Sequence, residues 1–261
     1  MEPVIIALAG KGGVGKTSLS AMVVKILTQT YPEKKILAID ADPAKGLATA
    51  LGIELKLTLD DIRSEIIASV EGGNTKDAME LVTESRYRIF DAIVQKDGFA
   101  FLGIGRPEAA GCYCRINSYL KSVIEMVSSQ FDYVIIDGEA GVEQINRRVM
   151  EKVSHLLLVT DASRKGIEVI QTIHDLASEM IEFDQVGCVF NRIEDPSLTK
   201  ELKLEGIEVL GTIPSDPNII GFDIAAKNFM ELPDDTVAVV ELTNILRKFQ
   251  IIAERIEENS K

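Results

Sequence analysis

Apolar positions along the chain form short, nearly continuous runs that alternate with stretches of helical periodicity. The runs have the length of strands and occupy residues 4–9, 35–39, 99–104, 133–136, 156–160, 186–190 and 208–213. Between most of them apolar residues recur once per helical turn, as in 19–27, 123–127, 167–180 and 242–256. Strands that are apolar on both faces are typical of a parallel sheet covered by helices on each side. The pattern therefore predicts a doubly wound, mostly parallel α/β fold, with ligands at the carboxyl ends of the strands.

The segment 57–95 departs from this alternation. Charges are scattered through it, and Gly72-Gly73-Asn74 separates two helix-like pieces, which indicates a helical excursion from the sheet. Elsewhere no internal repeat, low-complexity linker or change of composition divides the sequence. A chain of 261 residues can bury one sizeable core, so we expect a single domain spanning 1–261.

Charge and the N-terminal sequence narrow the range of partners. The chain carries 28 basic and 41 acidic residues, a formal net charge of −13, and such a surface repels a nucleic-acid backbone. No basic segment precedes the first apolar run, and that run is too short to span a bilayer. We therefore expect a cytoplasmic protein that binds neither nucleic acid nor membrane.

A glycine-rich segment lies between the first predicted strand and the first predicted helix. It reads Gly10-Lys11-Gly12-Gly13-Val14-Gly15-Lys16-Thr17 and matches the phosphate-binding pattern G-x-x-x-x-G-K-[ST]. Glycines allow backbone conformations in which successive N–H groups point at phosphate oxygens, and the N-terminus of the next helix adds to the attraction. We expect Lys16 to contact the β- and γ-phosphates and the Thr17 hydroxyl to bind Mg²⁺. The predicted nucleotide-binding residues of this loop are Gly12, Gly13, Val14, Gly15, Lys16, Thr17 and Ser18.

Carboxylates follow two further predicted strands. Asp40-Ala41-Asp42-Pro43 comes after the second strand, and Asp137 ends the apolar run Val134-Ile135-Ile136. The second pattern is that of a Walker B aspartate, which holds Mg²⁺ through water. A carboxylate at Asp42 can orient a water molecule for in-line attack on a phosphate, and Pro43 favours an extended backbone at Asp42.

The string KGGVGKT, with its additional lysine at position 11, resembles the deviant Walker A ATPases, which include nitrogenase iron protein and the septum-site and partition ATPases. The resemblance implies a homodimer in which Lys11 reaches the partner's nucleotide; the alternative is a solvated surface lysine. It also implies that Asp42 lies near the attacking water and Mg²⁺, and that Gly141 in a second switch lies near the γ-phosphate. Glu139 stands where the family commonly has proline, so the rigidity of that switch does not carry over. The catalytic residues expected on this basis are Lys11, Lys16 and Asp42, and the expected magnesium ligands are Thr17, Asp42 and Asp137.

Two short segments after later strands resemble the adenine-contacting segments of the same family. Asn191 and Arg192 follow the run 186–190, and Pro214 and Asp216 follow the next run. An asparagine side chain can both donate to and accept from a purine edge. In the alternative interpretation, Asn191 and Asp216 only cap a helix or shape a turn.

Two cysteines flank one tyrosine in Gly111-Cys112-Tyr113-Cys114-Arg115. Two thiolates one residue apart can bind one soft metal, but a closed tetrahedral site needs four ligands. A two-fold axis would present Cys112 and Cys114 twice and so supply four thiolates. Zn²⁺, Ni²⁺, Cu⁺ and an iron–sulfur cluster all suit thiolates, and two reduced cysteines without metal are the alternative. Cys188 lies inside a predicted strand and is expected to be a small core residue.

The strings C-Y-C-R and D-G-E-A-G-V-E narrow the resemblance to the CooC-type nickel-insertion ATPases of carbon monoxide dehydrogenase maturation. This implies that hydrolysis of Mg-ATP loads Ni²⁺ or Zn²⁺, held by Cys112 and Cys114, into a client metalloenzyme, and that ATP or metal brings two chains together. Two other functions stay open. A septum-site or partition ATPase should carry a basic amphipathic helix or patch, whereas 247–261 is mixed in charge. An electron-transfer ATPase like nitrogenase iron protein places its cluster cysteines on separate loops, whereas here no cysteine lies between Gly141 and Cys188.

Overall fold

A computed structural model describes residues 2–71, 87–105, 114–138, 149–199 and 202–254, with the backbone alone for 70–71 and 114–117. Within these ranges one sheet of eight strands forms the centre of the molecule. The strands are β1 (Val4–Gly10), β2 (Ile36–Asp40), β3 (Val94–Lys96), β4 (Phe99–Gly103), β5 (Tyr133–Asp137), β6 (Lys152–Thr160), β7 (Glu182–Ile193) and β8 (Glu208–Pro214). Their order across the sheet is β3-β4-β2-β5-β1-β6-β7-β8. Pairing is parallel throughout except between β3 and β4 at one edge.

Helices cover both faces of this sheet. They are α1 (Lys16–Thr30), α2 (Gly46–Ala50), α3 (Leu59–Glu71), α4 (Cys114–Ser128), α5 (Arg164–Met180), α6 (Pro217–Ile224) and α7 (Val237–Lys248), with a further helical stretch at 87–92. Side chains alternate across β1, so Ile6 and Leu8 pack against α1 and α7 on one face, while Ala7 and Ala9 belong to the core under α3, α4 and α5 on the other. The predicted doubly wound α/β fold is confirmed.

Two local expectations need correction. The predicted helix at 242–256 ends at Lys248, because Gln250 adopts a left-handed φ of 59° that an α-helix does not allow. The irregular segment 57–95 contains α3, as expected, but also the start of the edge strand β3, which the sequence did not predict. The break at Gly72-Gly73-Asn74 lies outside the described residues. Of the helices that the structure describes, none is both long and apolar enough to cross a membrane.

The register of the sheet brings the ends of four strands together. β1 lies between β5 and β6, with Leu8 opposite Asp137 and Gly10 opposite Val159. Asp40, at the end of β2, is also opposite Asp137. The glycine-rich loop after β1 is thereby placed between the carboxylates that follow β2 and β5 on one side and the end of β6 on the other.

Candidate functional site

The phosphate-binding loop has a backbone that only glycine adopts readily. Gly10, Gly13 and Gly15 have φ values of 147°, 79° and 88°, in the region that strains other residues. Space is also restricted, because a Cβ at Gly10 would lie 2.0 Å from the Val159 carbonyl oxygen, and one at Gly15 would lie 2.8 Å from Nδ2 of Asn191. The glycines therefore shape the loop and let it approach β6 and β7 closely.

Lys16 begins α1 and turns its side chain back into the loop. Its ammonium donates to the carbonyl oxygens of Gly10 and Lys11, at 3.2 and 3.0 Å, and the residue is buried. Phosphate oxygens carry more negative charge than peptide carbonyls and form stronger bonds to an ammonium. The cation is thus already inside the loop that the motif assigns to phosphate.

Asp137, at the end of β5, has the properties of a magnesium-binding carboxylate. Its Oδ1 accepts from the Ser20 hydroxyl at 2.8 Å, while Oδ2 is buried without a hydrogen-bond partner. Burial raises the pKa of Asp137 to about 6, although the nearby hydroxyls of Ser20 and Thr17 and the charge of Lys16 oppose the rise. A buried carboxylate oxygen that lacks a partner, beside the Thr17 hydroxyl, fits a hydrated Mg²⁺.

Asp40 is a buried site residue to which sequence reasoning gave no role. Its two carboxylate oxygens accept from the backbone N–H groups of Asp42 and Ala48, both at 3.1 Å. Burial and then the nearby charge of Asp137 raise the pKa of Asp40 to about 7, against the effect of those two hydrogen bonds. Asp40 therefore holds both ends of the loop that carries Asp42. The signal available in the sequence was the first aspartate of D-x-D at the end of an apolar strand.

Asp42 lies on this loop at the rim of a cavity of about 640 Å³. The backbone N–H of Ala44 donates to Oδ1 of Asp42 at 2.8 Å, and the N–H of Lys45 donates to the Asp42 carbonyl oxygen at 3.0 Å. The cavity has the size of a small-molecule pocket. Predicted residues that line it are Gly12, Gly13, Gly15, Lys16, Thr17, Ser18, Asp42 and Arg192.

The four residues predicted to contact adenine lie together, but their polar groups are engaged within the protein. Asn191 donates to the Val14 carbonyl oxygen at 2.8 Å, and Arg192, with φ of 60°, donates to the Gly13 carbonyl oxygen at 3.2 Å. Asp216 caps α6 by accepting from the N–H of Asn218 at 2.9 Å. The crevice between these residues and Pro214 has about 20 Å³, which is room for about one water molecule.

Lys11 forms a partly exposed ion pair within its own chain. Its ammonium lies 2.6 Å from Oδ2 of Asp161 and 3.4 Å from the Ser163 hydroxyl, both in its own chain. Sequence reasoning missed Asp161, which follows β6. No pattern near Lys11 could have found it, because the two residues are 150 positions apart.

Part of the predicted site lies outside the described residues. This holds for Cys112, Glu139 and Gly141, and although Cys114 begins α4, its side chain is not described. Cys188 is fully buried, and burial raises the pKa of its thiol to about 12, as expected of a core residue. Among the residues that are described, no three His, Cys, Asp or Glu side chains are arranged as a metal site. The site at Cys112 and Cys114 stays a prediction.

Comparisons with known proteins give relatives that match most of the chain. An uncharacterised ATP-binding protein of Methanocaldococcus jannaschii is 32% identical over 256 residues, which are 97% of this chain and 98% of that protein. The carbon monoxide dehydrogenase accessory protein CooC of Rhodospirillum rubrum is 25% identical over 238 residues, 87% of this chain and 89% of that protein.

A solved structure and a family model extend the comparison. The septum site-determining protein MinD of Pyrococcus horikoshii, complexed with Mg-ADP, matches with a TM-score of 0.64 at 20% identity, covering 95% of this chain and 96% of that one. At this identity the likeness shows the fold alone. The model of the CobQ/CobB/MinD/ParA nucleotide binding domain matches residues 5–224. Since that match spans most of the sequence and includes the whole phosphate-binding loop, the chain belongs to the CbiA family of CobQ/CobB/MinD/ParA nucleotide-binding domains.

Proposed function

We propose that the chain is a single-domain ATPase that hydrolyses Mg-ATP, closes as a homodimer around its nucleotides, and couples hydrolysis to inserting nickel into carbon monoxide dehydrogenase. ATPase activity is supported most strongly by an ammonium and a carboxylate that both lie at the carboxyl ends of the strands. The Lys16 ammonium is turned into the loop, and the Oδ2 atom of Asp137 is buried without a partner. The first suits phosphate oxygens and the second suits a hydrated Mg²⁺.

In this reaction the loop N–H groups would hold the phosphates, and Lys16 would exchange its two carbonyl acceptors for β- and γ-phosphate oxygens. Thr17 and Asp137 would hold Mg²⁺, which when bound neutralises phosphate charge. Asp42 would orient the attacking water, whose oxygen bonds to the γ-phosphorus as the bond to the bridging oxygen breaks, giving ADP and phosphate. Gly141 would place a backbone N–H near the γ-phosphate.

The base would lie on the side of the loop formed by Asn191, Arg192, Pro214 and Asp216. These residues border the crevice next to Ser18, and a purine enters it only if the crevice widens. Asn191 and Arg192 already hold the carbonyl oxygens of the loop. Binding of the base is therefore proposed to tighten the same segment that receives the phosphates.

The proposal of metal insertion rests on the cysteine pair and on the sequence resemblance that Cys112 and Cys114 help to carry. Two chains would present Cys112 and Cys114 around one axis and hold one metal with four thiolates. The 25% identity to the carbon monoxide dehydrogenase accessory protein CooC supports carbon monoxide dehydrogenase as the client, and nickel is the cargo that the sequence resemblance implies. Because ATP and metal would both favour the dimer, each would strengthen the binding of the other.

The metal content of the purified protein tests this proposal. The double variant Cys112→Ser, Cys114→Ser should lose Ni²⁺ and Zn²⁺ binding and fail to activate the client, while basal ATP hydrolysis is kept because phosphoryl transfer needs no thiol. Cys188→Ser is the control, since its thiol is buried in the core, and it should keep the metal. We expect one metal per two chains by elemental analysis. One metal per chain, or full retention in the double variant, would refute the shared thiolate site.

A positioning ATPase is the second candidate, because the fold is shared with a septum site-determining protein. Such a protein must bind a surface in its ATP state. Vesicles of anionic phospholipid would sediment with the protein in the presence of Mg-ATP if this candidate were correct. We expect no co-sedimentation, since the net charge of −13 opposes binding to an anionic surface.

A further inference from the structure

The pairing of β1 with β6 fixes the ion pair between Lys11 and Asp161. These strands are parallel, and Gly10 lies opposite Val159. The residues that directly follow the two strands therefore lie next to each other at the carboxyl ends of the strands. The Lys11 ammonium lies 2.6 Å from Oδ2 of Asp161. Because both residues follow paired strands, the contact is a consequence of the register and not of a flexible side chain alone.

The carboxylate of Asp161 is itself held in one orientation. Its Oδ1 accepts from the backbone N–H of Ser163 at 3.2 Å and from the Ser163 hydroxyl. The same hydroxyl oxygen accepts from the Gly166 N–H at 3.0 Å and so caps α5. With Oδ1 occupied by Ser163, Oδ2 is left to Lys11.

A glycine in the first turn of α5 makes room for this arrangement. A Cβ at Gly166 would lie 2.2 Å from Oδ1 of Asp161 and 2.9 Å from its carbonyl oxygen. Glycine is unfavourable inside a helix relative to alanine, so its presence here has a steric reason. Burial raises the pKa of Asp161, but hydrogen bonds from Lys11 and Ser163 outweigh it and leave the pKa below its ordinary value, which keeps the carboxylate charged.

We propose that Asp161 is a positioning residue that holds Lys11 within its own subunit and thereby sets how much nucleotide is needed before two chains pair. This inference rests on the proposed function, in which Lys11 acts on the partner's nucleotide. To reach that nucleotide, the ammonium has to leave the 2.6 Å contact with Asp161. The ion pair inside the subunit therefore competes with the contact between subunits. Loss of the ion pair should favour dimerisation.

The size of the effect follows from the exposure of the pair. The side chains of Lys11 and Asp161 are 26% and 36% exposed, so solvent screens their attraction and the pair is weaker than a buried one. Ion pairs of this exposure correspond to changes of roughly twofold to fivefold in an equilibrium constant. Release of Lys11 should change the pairing threshold by a similar factor.

The test is the concentration of the β,γ-imido analogue of ATP, with Mg²⁺, at which half of the protein is dimeric by sedimentation velocity. Asp161→Asn keeps an acceptor for Ser163 but removes the charge, and it should lower this midpoint about twofold to fivefold. Asp161→Ser should shift it in the same direction. Nucleotide affinity of the single chain, measured below the dimerisation range, should stay unchanged. A purely structural role for Asp161 predicts weaker pairing, so an unchanged or raised midpoint in the folded variants overturns the proposal.

Asp132→Asn is the matched control. Asp132 is also 36% exposed and forms an ion pair with a lysine, Lys34, at 3.1 Å. It directly precedes β5, however, and so lies at the amino ends of the strands, away from the phosphate-binding loop. It should leave the midpoint unchanged. Lys11→Ala distinguishes the proposed role of Lys11 from that of Asp161. Normal dimerisation of Lys11→Ala would refute the action of Lys11 on the partner's nucleotide. Loss of dimerisation in Lys11→Ala, together with an unshifted midpoint in Asp161→Asn, would refute only the positioning role of Asp161.

Discussion

At the phosphate-binding loop a buried ammonium, that of Lys16, and a buried carboxylate, that of Asp137, influence each other's charge. Lys16 donates to loop carbonyls, and its charge is among the influences that oppose the rise in the pKa of Asp137. Buried charges are costly unless they are paired or bind ions. In the proposed reaction, phosphate oxygens would accept from the Lys16 ammonium and Mg²⁺ would lie near the Asp137 carboxylate, so nucleotide binding should stabilise both charged groups.

Lys16→Ala should abolish hydrolysis and weaken nucleotide binding, because it removes the cation that stabilises charge on the β–γ bridge and the γ oxygens. We expect the rate of phosphate release to fall about a hundredfold or more. Lys25→Met is the control, since Lys25 is the neighbouring buried lysine of α1 but contacts Asp234 at 2.6 Å, away from the loop. Hydrolysis within twofold of the wild type in Lys16→Ala would contradict the assignment.

Asp40 predicts a pH dependence of stability. Burial and the nearby charge of Asp137 raise the pKa of Asp40 to about 7 in the folded chain, well above the ordinary value of an aspartate, so the folded state binds this proton more tightly than the unfolded state. The free energy of unfolding of the nucleotide-free protein should therefore decrease as pH rises from about 4 to about 7 and level off above. Asp40→Asn should show a smaller decrease in melting temperature between pH 5 and pH 8. An equal decrease in both proteins would show that Asp40 is not the titrating group.

Which site residues the sequence can predict depends on how far apart their determinants lie. Lys16 and Thr17 belong to one contiguous motif whose spacing encodes its geometry, so they were predictable. The hydrogen bonds of Asp40 to Asp42 and Ala48 and the pairing of Lys11 with Asp161 depend on loop shape and strand register, which no local pattern contains.

At the scale of elements, the apolar periodicity predicted which side chains are buried better than it predicted the backbone conformation. The apolar positions of 242–256 were expected to continue one helix, yet α7 ends at Lys248. Ile251 and Ile252 are nevertheless buried in the core, 3% and 4% exposed, and the Ile251 N–H returns to the Leu246 carbonyl oxygen at 2.9 Å. The spacing of apolar residues predicts which side chains are buried in the core. It does not determine the backbone conformation, because a turn can bury the same side chains as a helix.

Asp216 joins two elements, because it caps α6 and also accepts from the N–H of Ala238 in α7 at 3.3 Å. Asp216→Ala should lower the free energy of unfolding by about 1–2 kcal/mol, measured by urea denaturation. Asp235→Ala, in an exposed position on the nearby loop, is the control and should stay within about 0.5 kcal/mol of the wild type. Unchanged stability with reduced nucleotide affinity would instead assign Asp216 to base recognition alone.

At the scale of the whole molecule, the strand order brings three basic residues, Lys11, Lys16 and Arg192, to the carboxyl ends of the strands. The chain as a whole nevertheless has a net charge of −13. Two such chains repel each other on average. In the proposed dimer, contact through this side of the molecule would need compensating charge, and Mg-ATP bound between the basic loops would provide groups of both signs. The same argument explains why the proposed dimer should depend on nucleotide.

The dependence of specific ATPase activity on protein concentration tests the central claim most directly, since it reports hydrolysis and pairing in one measurement. If two chains must close around the nucleotides, the rate per chain in saturating Mg-ATP should rise with protein concentration and reach a plateau once the dimer predominates. Lys11→Ala should remove this rise while leaving nucleotide affinity of the single chain largely intact. A rate per chain that is constant across the whole concentration range, or the absence of Mg-ATP hydrolysis at every concentration, would contradict the account.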